Sequence, residues 1–298
     1  MPETSDAIAL ACDRLRLELV PGIGGSVANF RLDDIDLFRP LSDADRSAGN
    51  VLGVAMFPML PYANRIAANN FQFAGKPYVF HANNPPEAFN VHGTGWRRPW
   101  TVTQRNATEA VLELEVAEPD EPYAYLATQH FVLTSNGLAV TLRLKNAGDV
   151  TMPFGFGLHP WLPRDPDATV QFGAHSFYLE EPEGISGDRI SLPPELDFRT
   201  ARGLPRGWRN NDYGGWEGSA RLTFRTRAVE LRLQADPVYR HLMVYADPTK
   251  PYFCIEPQTH ASGAFNRPEG FTDSAEGVII LAPGESAEGT VHFGALRL

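Results

Sequence analysis

Three proton-carrying side chains stand in segments whose neighbours would hold them in place. Glu256 lies in Tyr252-Phe253-Cys254-Ile255-Glu256-Pro257-Gln258-Thr259, His159 in Phe154-Gly155-Phe156-Gly157-Leu158-His159-Pro160-Trp161, and His92 in Asn90-Val91-His92-Gly93-Thr94-Gly95-Trp96. The first segment reads as a strand, with Phe253 and Ile255 on one face and Tyr252, Cys254 and Glu256 on the other. Pro257 cannot donate to a sheet ladder, so the strand is expected to end there and leave Glu256 at its mouth, where a carboxylate could act as a general base. Either histidine could be the partner acid. Each also has a plain structural reading, His92 as a loop residue with one backbone hydrogen bond and His159 as part of an aromatic core.

Other polar groups are open to two readings as well. Asn64-Arg65 offers a planar donor fork beside an amide that both donates and accepts, a useful pair for hydroxyl groups, but a surface salt bridge uses the same residues. Asp212, in Asn210-Asn211-Asp212-Tyr213, could accept from two neighbouring hydroxyls, yet Asn-Asn-Asp is also turn chemistry. Cys254 has no adjacent base and reads as a small buried hydrophobe. The histidines other than His92 and His159 show no paired ligand spacing, so no metal site is expected. Gly22-Ile23-Gly24-Gly25 invites a dinucleotide fingerprint, but position 27 is Val27 and the residues beyond the glycines read as strand. A tight turn or close backbone approach explains those glycines better.

The elements that must position these groups are strands. Leu15, Leu17 and Leu19 alternate with charged residues, as do Leu112, Leu114 and Val116, and Val229, Leu231 and Leu233, while Leu138, Val140, Leu142 and Leu144 alternate with Thr141 and Arg143. Period two over this many segments predicts half-buried antiparallel strands with few short helices. Asn136-Gly137 predicts a hairpin between Gln129–Leu133 and Leu138–Leu144, with positive φ at both turn positions, and Asp33-Asp34 a second one. From Glu180 to Gly218 alternation lapses; Phe198, Trp208, Tyr213 and Trp216 predict an ordered, packed loop there. The expected fold is an all-β, large antiparallel β-sandwich, with residues 1–298 as a single domain.

Composition narrows the function classes. Apolar residues are 43% of the 298, so disorder is not expected, and a net charge of −10 opposes general attraction to nucleic acid or to anionic membrane. No apolar run approaches a membrane span, and Met1-Pro2-Glu3-Thr4-Ser5-Asp6 lacks the features of a signal peptide. Cys12 and Cys254 make no disulfide framework, so a cytoplasmic location is the simplest reading.

In their order along the chain, Pro61-Tyr62-Ala63-Asn64-Arg65-Ile66, Asn90-Val91-His92-Gly93, Gly157-Leu158-His159-Pro160-Trp161, Asn211-Asp212 and Ile255-Glu256-Pro257-Gln258-Thr259 resemble the motifs of the aldose 1-epimerases, or galactose mutarotases. The resemblance runs from about position 20 to the C-terminus. It implies a β-sandwich of the galactose mutarotase type with an open sugar cleft, no metal and no organic cofactor, and a small-molecule aldose as partner. Carried over by motif, Glu256 would be the general base, His159 the general acid and His92 a second histidine near the ring oxygen. Arg65, Asp212 and Asn64 would bind substrate. Anchoring the loop on Tyr213 and Trp216 instead puts Asn210 in the place of Asp212. The His159 segment departs from the commoner family pattern, in which the histidine follows an Asn and precedes an aromatic pair and another Asn.

The chemistry that this resemblance implies suits the residue types. Exchanging α and β anomers requires removal of the C1 hydroxyl proton, protonation of the ring oxygen, rotation about C1–C2 and closure on the other face. A carboxylate and an imidazole on opposite sides of the C1–O5 unit would suffice, with Glu256 ionised and His159 protonated at the start. Trp161 could present a ring face to the sugar. A glycoside hydrolase pairing Glu256 with Asp212 is the nearest rival. A non-catalytic sugar-binding protein is the other. Arg97, Arg98 and Arg164 could meet an anionic group on the sugar or be solvated surface charge; a neutral hexose or pentose is the expected substrate.

Overall fold

The computed structural model describes residues 7–118 and 121–298, so the Met1–Asp6 segment lies outside the described residues. Antiparallel strands dominate. Eleven form one sheet and nine another, and the α-helix Asp43–Ala48 is the only one among the described residues. The helix starts on Ser42, whose side chain accepts from the Asp45 N–H, and stops at Gly49 in the left-handed region. Among the described residues, no helix is long and apolar enough to cross a membrane.

Alternation determines which faces meet. Phe253, Ile255, Leu158, Leu162 and Leu242 of the first sheet share one apolar core with Leu142, Leu231, Val291 and Phe293 of the second. The opposite face of the first sheet carries a smaller cluster, including Phe57, Met59, Trp96, Trp161 and Cys254. The proton-carrying residues lie on this outer face, because Glu256 shares strand parity with Cys254 and His159 with Trp161.

Of the two hairpin turns expected from sequence, the second forms as expected and the first needs correction. The Asn136 hairpin forms, but Thr134 pairs with Gly137, so Ser135 and Asn136 make the turn and Gly137 opens the next strand. Glycine is needed there because a Cβ would sit 2.3 Å from the Phe293 carbonyl oxygen of the neighbouring strand. The Asp33-Asp34 hairpin has Asp33 at φ +54° and a short return strand, Ile35–Asp36. The segment from Glu180 to Gly218 contains the strands Ser186–Ser191 and Arg209–Gly214. Phe198, Tyr213 and Trp216 are buried as expected, whereas Trp208 is 45% exposed.

The strand carrying Glu256 does not end at Pro257. It runs Tyr252–Gln258 between Gly157–Pro163 and His241–Ala246. Gly157 pairs with Gln258 and Trp161 with Cys254, but Leu158, His159 and Pro160 pair with Pro58, Phe57 and Met56 on their other side. This gap in the ladder coincides with Pro160 and Pro257, neither of which has an N–H to contribute. Proline is therefore tolerated in the sheet interior, and Glu256 sits mid-strand, only 2% exposed.

Candidate active site

His159 and Glu256 are level with each other across the ladder gap, with Nε2 of His159 3.3 Å from Oε1 of Glu256. Both are buried at the floor of a cavity of about 450 Å³. Phe57, the partner of His159 in the sheet, stacks on its imidazole at 4.5 Å between ring centroids. Trp161 packs against the same ring at 4.6 Å. The aromatic-core reading of His159 is thus correct for its surroundings, while its polar edge meets a carboxylate. Nδ1 of His159 and Oε2 of Glu256 are buried without a partner among the described residues. Buried polar atoms left in that state mark a place where a ligand can repay their desolvation.

Burial dominates the electrostatics. It pushes His159 down to about 3, with Arg39 and Arg65 adding to the fall and a backbone hydrogen bond opposing it. Burial also pushes Glu256 well above the ordinary carboxylate range, with Arg65 opposing the rise and Asp212 adding to it. Both shifts have one cause, removal of water from the charged form. Both shifts favour the neutral form of each group, a proton on the carboxyl and none added to the imidazole, the reverse of the expected starting arrangement.

His92 comes from a different part of the chain. The short strand Arg65–Ile66 pairs with Asn90–Val91, so Arg65 lies opposite Val91 and the two loops advance together. The Asn64 N–H donates to Nδ1 of His92 at 3.0 Å, and the His92 N–H donates to the Asn64 carbonyl at 2.8 Å. Both residues have positive φ, +59° and +58°, a local cost offset by these reciprocal bonds. Because Nδ1 accepts, the ring proton of neutral His92 is on Nε2. Burial, with smaller contributions from His159 and Arg65, holds His92 well below the ordinary imidazole value and so keeps it neutral. Gly24 supports the loop from beneath; its φ is +67°, and a Cβ there would overlap the Trp96 carbonyl oxygen. Those glycines therefore serve turn and close approach, as the sequence suggested.

Arg65 and Asn64 also line the cavity. Glu87 accepts from Arg65 Nη2 at 2.8 Å and from Nε at 3.1 Å, and Asn64 Oδ1 accepts from the Arg65 N–H. The salt-bridge reading of Arg65 is thus realised inside the pocket instead of on the surface. Trp208, Asn210 and Glu180 line the cavity as well, with the Glu183-Gly184 turn packed on Arg65 and Asn210. Glu87, Glu180 and Trp208 were not singled out in the sequence as site residues. They lie in irregular stretches or at a strand end, where no periodic signal shows which way they face.

Asp212 requires a correction. It is fully buried and outside the cavity lining. Its row on the sheet explains why: Asp212 pairs with Met243, which pairs with Glu256, so the carboxylate lies two strands away from Glu256. There it accepts from the Ser262 N–H at 2.9 Å and from Gln258 Nε2 at 3.3 Å, and it pairs with Nδ1 of His241 at 3.1 Å. Asn210, two residues earlier on the same face, is the one that reaches the cavity.

One cluster has the composition of a metal centre: single ligand atoms of His159, Cys254 and Glu256 lie within 4.8 Å of one another. Sequence spacing did not reveal it, since the cysteine and glutamate are two apart on one strand and the histidine comes from the next. Its donor chemistry is unfavourable. Burial and the nearby Glu256 push the Cys254 thiol well above its ordinary value, so forming the thiolate that a metal needs would be costly.

A profile of the family described as aldose 1-epimerase matches residues 10–294, and this chain belongs to that family. The uncharacterised protein YphB of Escherichia coli K12 is 34% identical over 271 residues, 88% of this chain and 90% of its own length. A crystal structure of a candidate aldose 1-epimerase from the same bacterium superposes with a TM-score of 0.91 at 32% identity, covering 98% of this chain and 99% of its own. The galactose 1-epimerase of Lactobacillus acidophilus NCFM shares the fold, with a TM-score of 0.77 at 16% identity over 98% and 94% of the two chains.

Proposed function

We propose that the protein is an aldose 1-epimerase that exchanges the anomers of an uncharged aldose, with Glu256 as base, His159 as acid and His92 as a neutral donor near the ring oxygen. The observation that carries this reading is the buried 3.3 Å contact between His159 and Glu256 at the floor of an open cavity. The two oxygens that exchange protons, O1 and O5, are both bonded to C1. An acid and a base side by side match them, in place of the opposed arrangement expected from sequence.

The proton balance of the pair closes. Transfer of the shared proton from Glu256 to His159 changes no net charge and needs no proton from solvent. Glu256 then takes the O1 proton while His159 gives its proton to O5, and the ring opens. The pair is now a neutral carboxyl and a neutral imidazole, the state that burial favours. Rotation about C1–C2 and the reverse transfers close the ring on the other face. Positioned acid–base groups typically contribute ~10²–10⁴-fold each.

This scheme sets a pH profile. Activity needs one proton on the pair. The acid step adds a second at the depressed His159 value, about 3, and the alkaline step removes the shared proton at the raised Glu256 value. We expect kcat/KM to show no acid limb near the ordinary glutamate value, and to fall on the alkaline side as Glu256 gives up its proton. An acid limb near 4.3, the ordinary glutamate value, would show an unperturbed Glu256 and defeat the scheme. His92→Phe is expected to lower kcat/KM by about 10²-fold, the usual cost of one lost donor at developing charge, and His92→Gln by less. Equal kinetics for His92→Phe and wild type would remove His92 from the mechanism.

Pocket charge supports an uncharged substrate. Arg65 is the only Lys or Arg lining the cavity among the described residues, and Glu87 already holds it. Glu180 and Glu183 add negative charge to the wall. Arg98 pairs with Glu118 at 2.6 Å, Arg164 donates to the Pro205 carbonyl, and Arg97 lies over the Trp96 ring. None of the three reaches the cavity. The glycoside hydrolase pairing of Glu256 with Asp212 fails once Asp212 is a buried structural group outside the cavity lining. Polarimetry with freshly dissolved glucose, galactose, xylose and glucose 6-phosphate tests the assignment. Acceleration of a neutral sugar is expected; no acceleration of any neutral sugar would count against it.

A further inference from the structure

Sequence reasoning gave the role of a sugar-stacking ring to Trp161, which lines the cavity but has most of its ring covered by neighbours. Trp161 is 8% exposed, with the His159 ring at 4.6 Å, the Arg39 guanidinium at 4.5 Å and Tyr252 edge-on at 5.0 Å. Trp208 is the opposite case. It lines the same cavity at 45% exposure, while Trp96, Trp100, Trp161 and Trp216 are all buried. An exposed indole is ordinarily mobile, but this one is held at two points. Its Nε1–H donates to Glu180 Oε2 at 2.8 Å, and its ring meets Tyr245 at 86° and 5.4 Å. The other oxygen of Glu180 accepts from Asn210 Nδ2 at 3.0 Å. Both carboxylate oxygens thus already have donors, so Glu180 is occupied with orientation.

We propose that Trp208 is the stacking platform that selects a closed sugar ring in this pocket, and that Glu180 is its positioning residue. This deepens the proposed function and rests on it. The face of an indole is electron-rich, and the C–H face of a pyranose carries the complementary partial charge, so the two attract as apolar and electrostatic partners. Such a contact reads the shape of a ring and not its charge, in keeping with a wall that holds carboxylates and lacks free cations. Both anomers keep this C–H face and the open-chain form loses it. The platform therefore binds the ground states, and removing it raises KM without lowering kcat.

The test combines kinetics with fluorescence. Trp208→Ala is expected to raise KM by about tenfold with kcat within about twofold, and Trp208→Phe to recover most of the loss. Glu180→Gln is expected to raise KM in wild type but to add nothing in the Trp208→Ala background, the signature of a residue that acts through the indole. A further rise there would mean that Glu180 meets the sugar itself and would overturn its positioning role. Because Trp208 is the exposed tryptophan, acrylamide quenching reports on it directly. Glucose, galactose or xylose should protect it, in wild type and in Glu256→Gln alike. Absence of protection by all three, or an unchanged KM in Trp208→Ala, overturns the platform. Protection without accelerated anomer exchange would retain the platform and reject the proposed reaction; the converse would do the reverse.

Discussion

Glu256→Gln is expected to lose at least ~10²–10⁴-fold in kcat, the contribution of a positioned base, while KM and the fold are retained. The amide has the shape of the carboxyl and keeps a polar contact with His159, but it cannot take a proton from O1. The stability prediction is equally specific. Burial pushes Glu256 well above its ordinary range, and one of its oxygens has no partner among the described residues. Replacing it with a neutral amide removes a group whose ionisation is costly in this place, so the melting temperature should be unchanged or raised. The experiment is polarimetric: the rate of approach to a common final rotation, with a thermal melt of the same preparation. More than about a tenth of wild-type turnover would reject Glu256 as base, since one decade is only about 1.36 kcal/mol of barrier. A lost fold would make the residue structural.

Asp212→Asn should give the opposite pattern. Asp212 is fully buried, and three groups converge on its carboxylate: His241, Ser262 N–H and Gln258 Nε2. Nε2 of His241 faces the Ala275 carbonyl at 2.9 Å, so the ring also ties the sheet to the segment covering it. Removing one partner of a buried pair leaves the other uncompensated, at a cost of ~3–5 kcal/mol. For a chain of this size that corresponds to a fall of roughly 6–20 °C in melting temperature. KM, measured well below the transition, should stay within about twofold of wild type, as expected of a residue that touches no substrate. An unchanged melt with a tenfold rise in KM would return Asp212 to the binding role inferred from its motif. Removing its charge should also lower Glu256, since Asp212 contributes to that rise, and move the alkaline limb of activity to lower pH.

How far each residue was legible depended on the kind of information it carries. Glu256, His159, His92, Arg65 and Asn64 stood out because glycines, prolines and aromatics surround them, and all five line one cavity. Asp212 and Asn210 share a face of one strand, and local pattern cannot say which of two same-face residues is covered. The answer lies with Ser262, about fifty positions away, whose segment covers the deeper one. Trp208 and Trp161 reversed roles for a similar reason. The sequence shows that each is aromatic, but both line the cavity, and exposure is settled by Arg39, Tyr252 and His159, which cover the Trp161 ring and leave Trp208 open.

The sequence by itself determined the all-β architecture, because period-two burial is a local property that each strand states independently. It also determined the chemical inventory, a carboxylate and imidazoles in rigid segments, because residue type fixes which protons can move. The tertiary structure alone decided how that inventory works. It set His159 and Glu256 3.3 Å apart across a gap where two prolines interrupt a ladder, and let Pro257 stand inside a strand it was expected to end. Its burial of the pair favours the neutral form of each, the reverse of the ionised arrangement expected from sequence, because burial is a property of everything packed around a group and cannot be read from its neighbours in the chain.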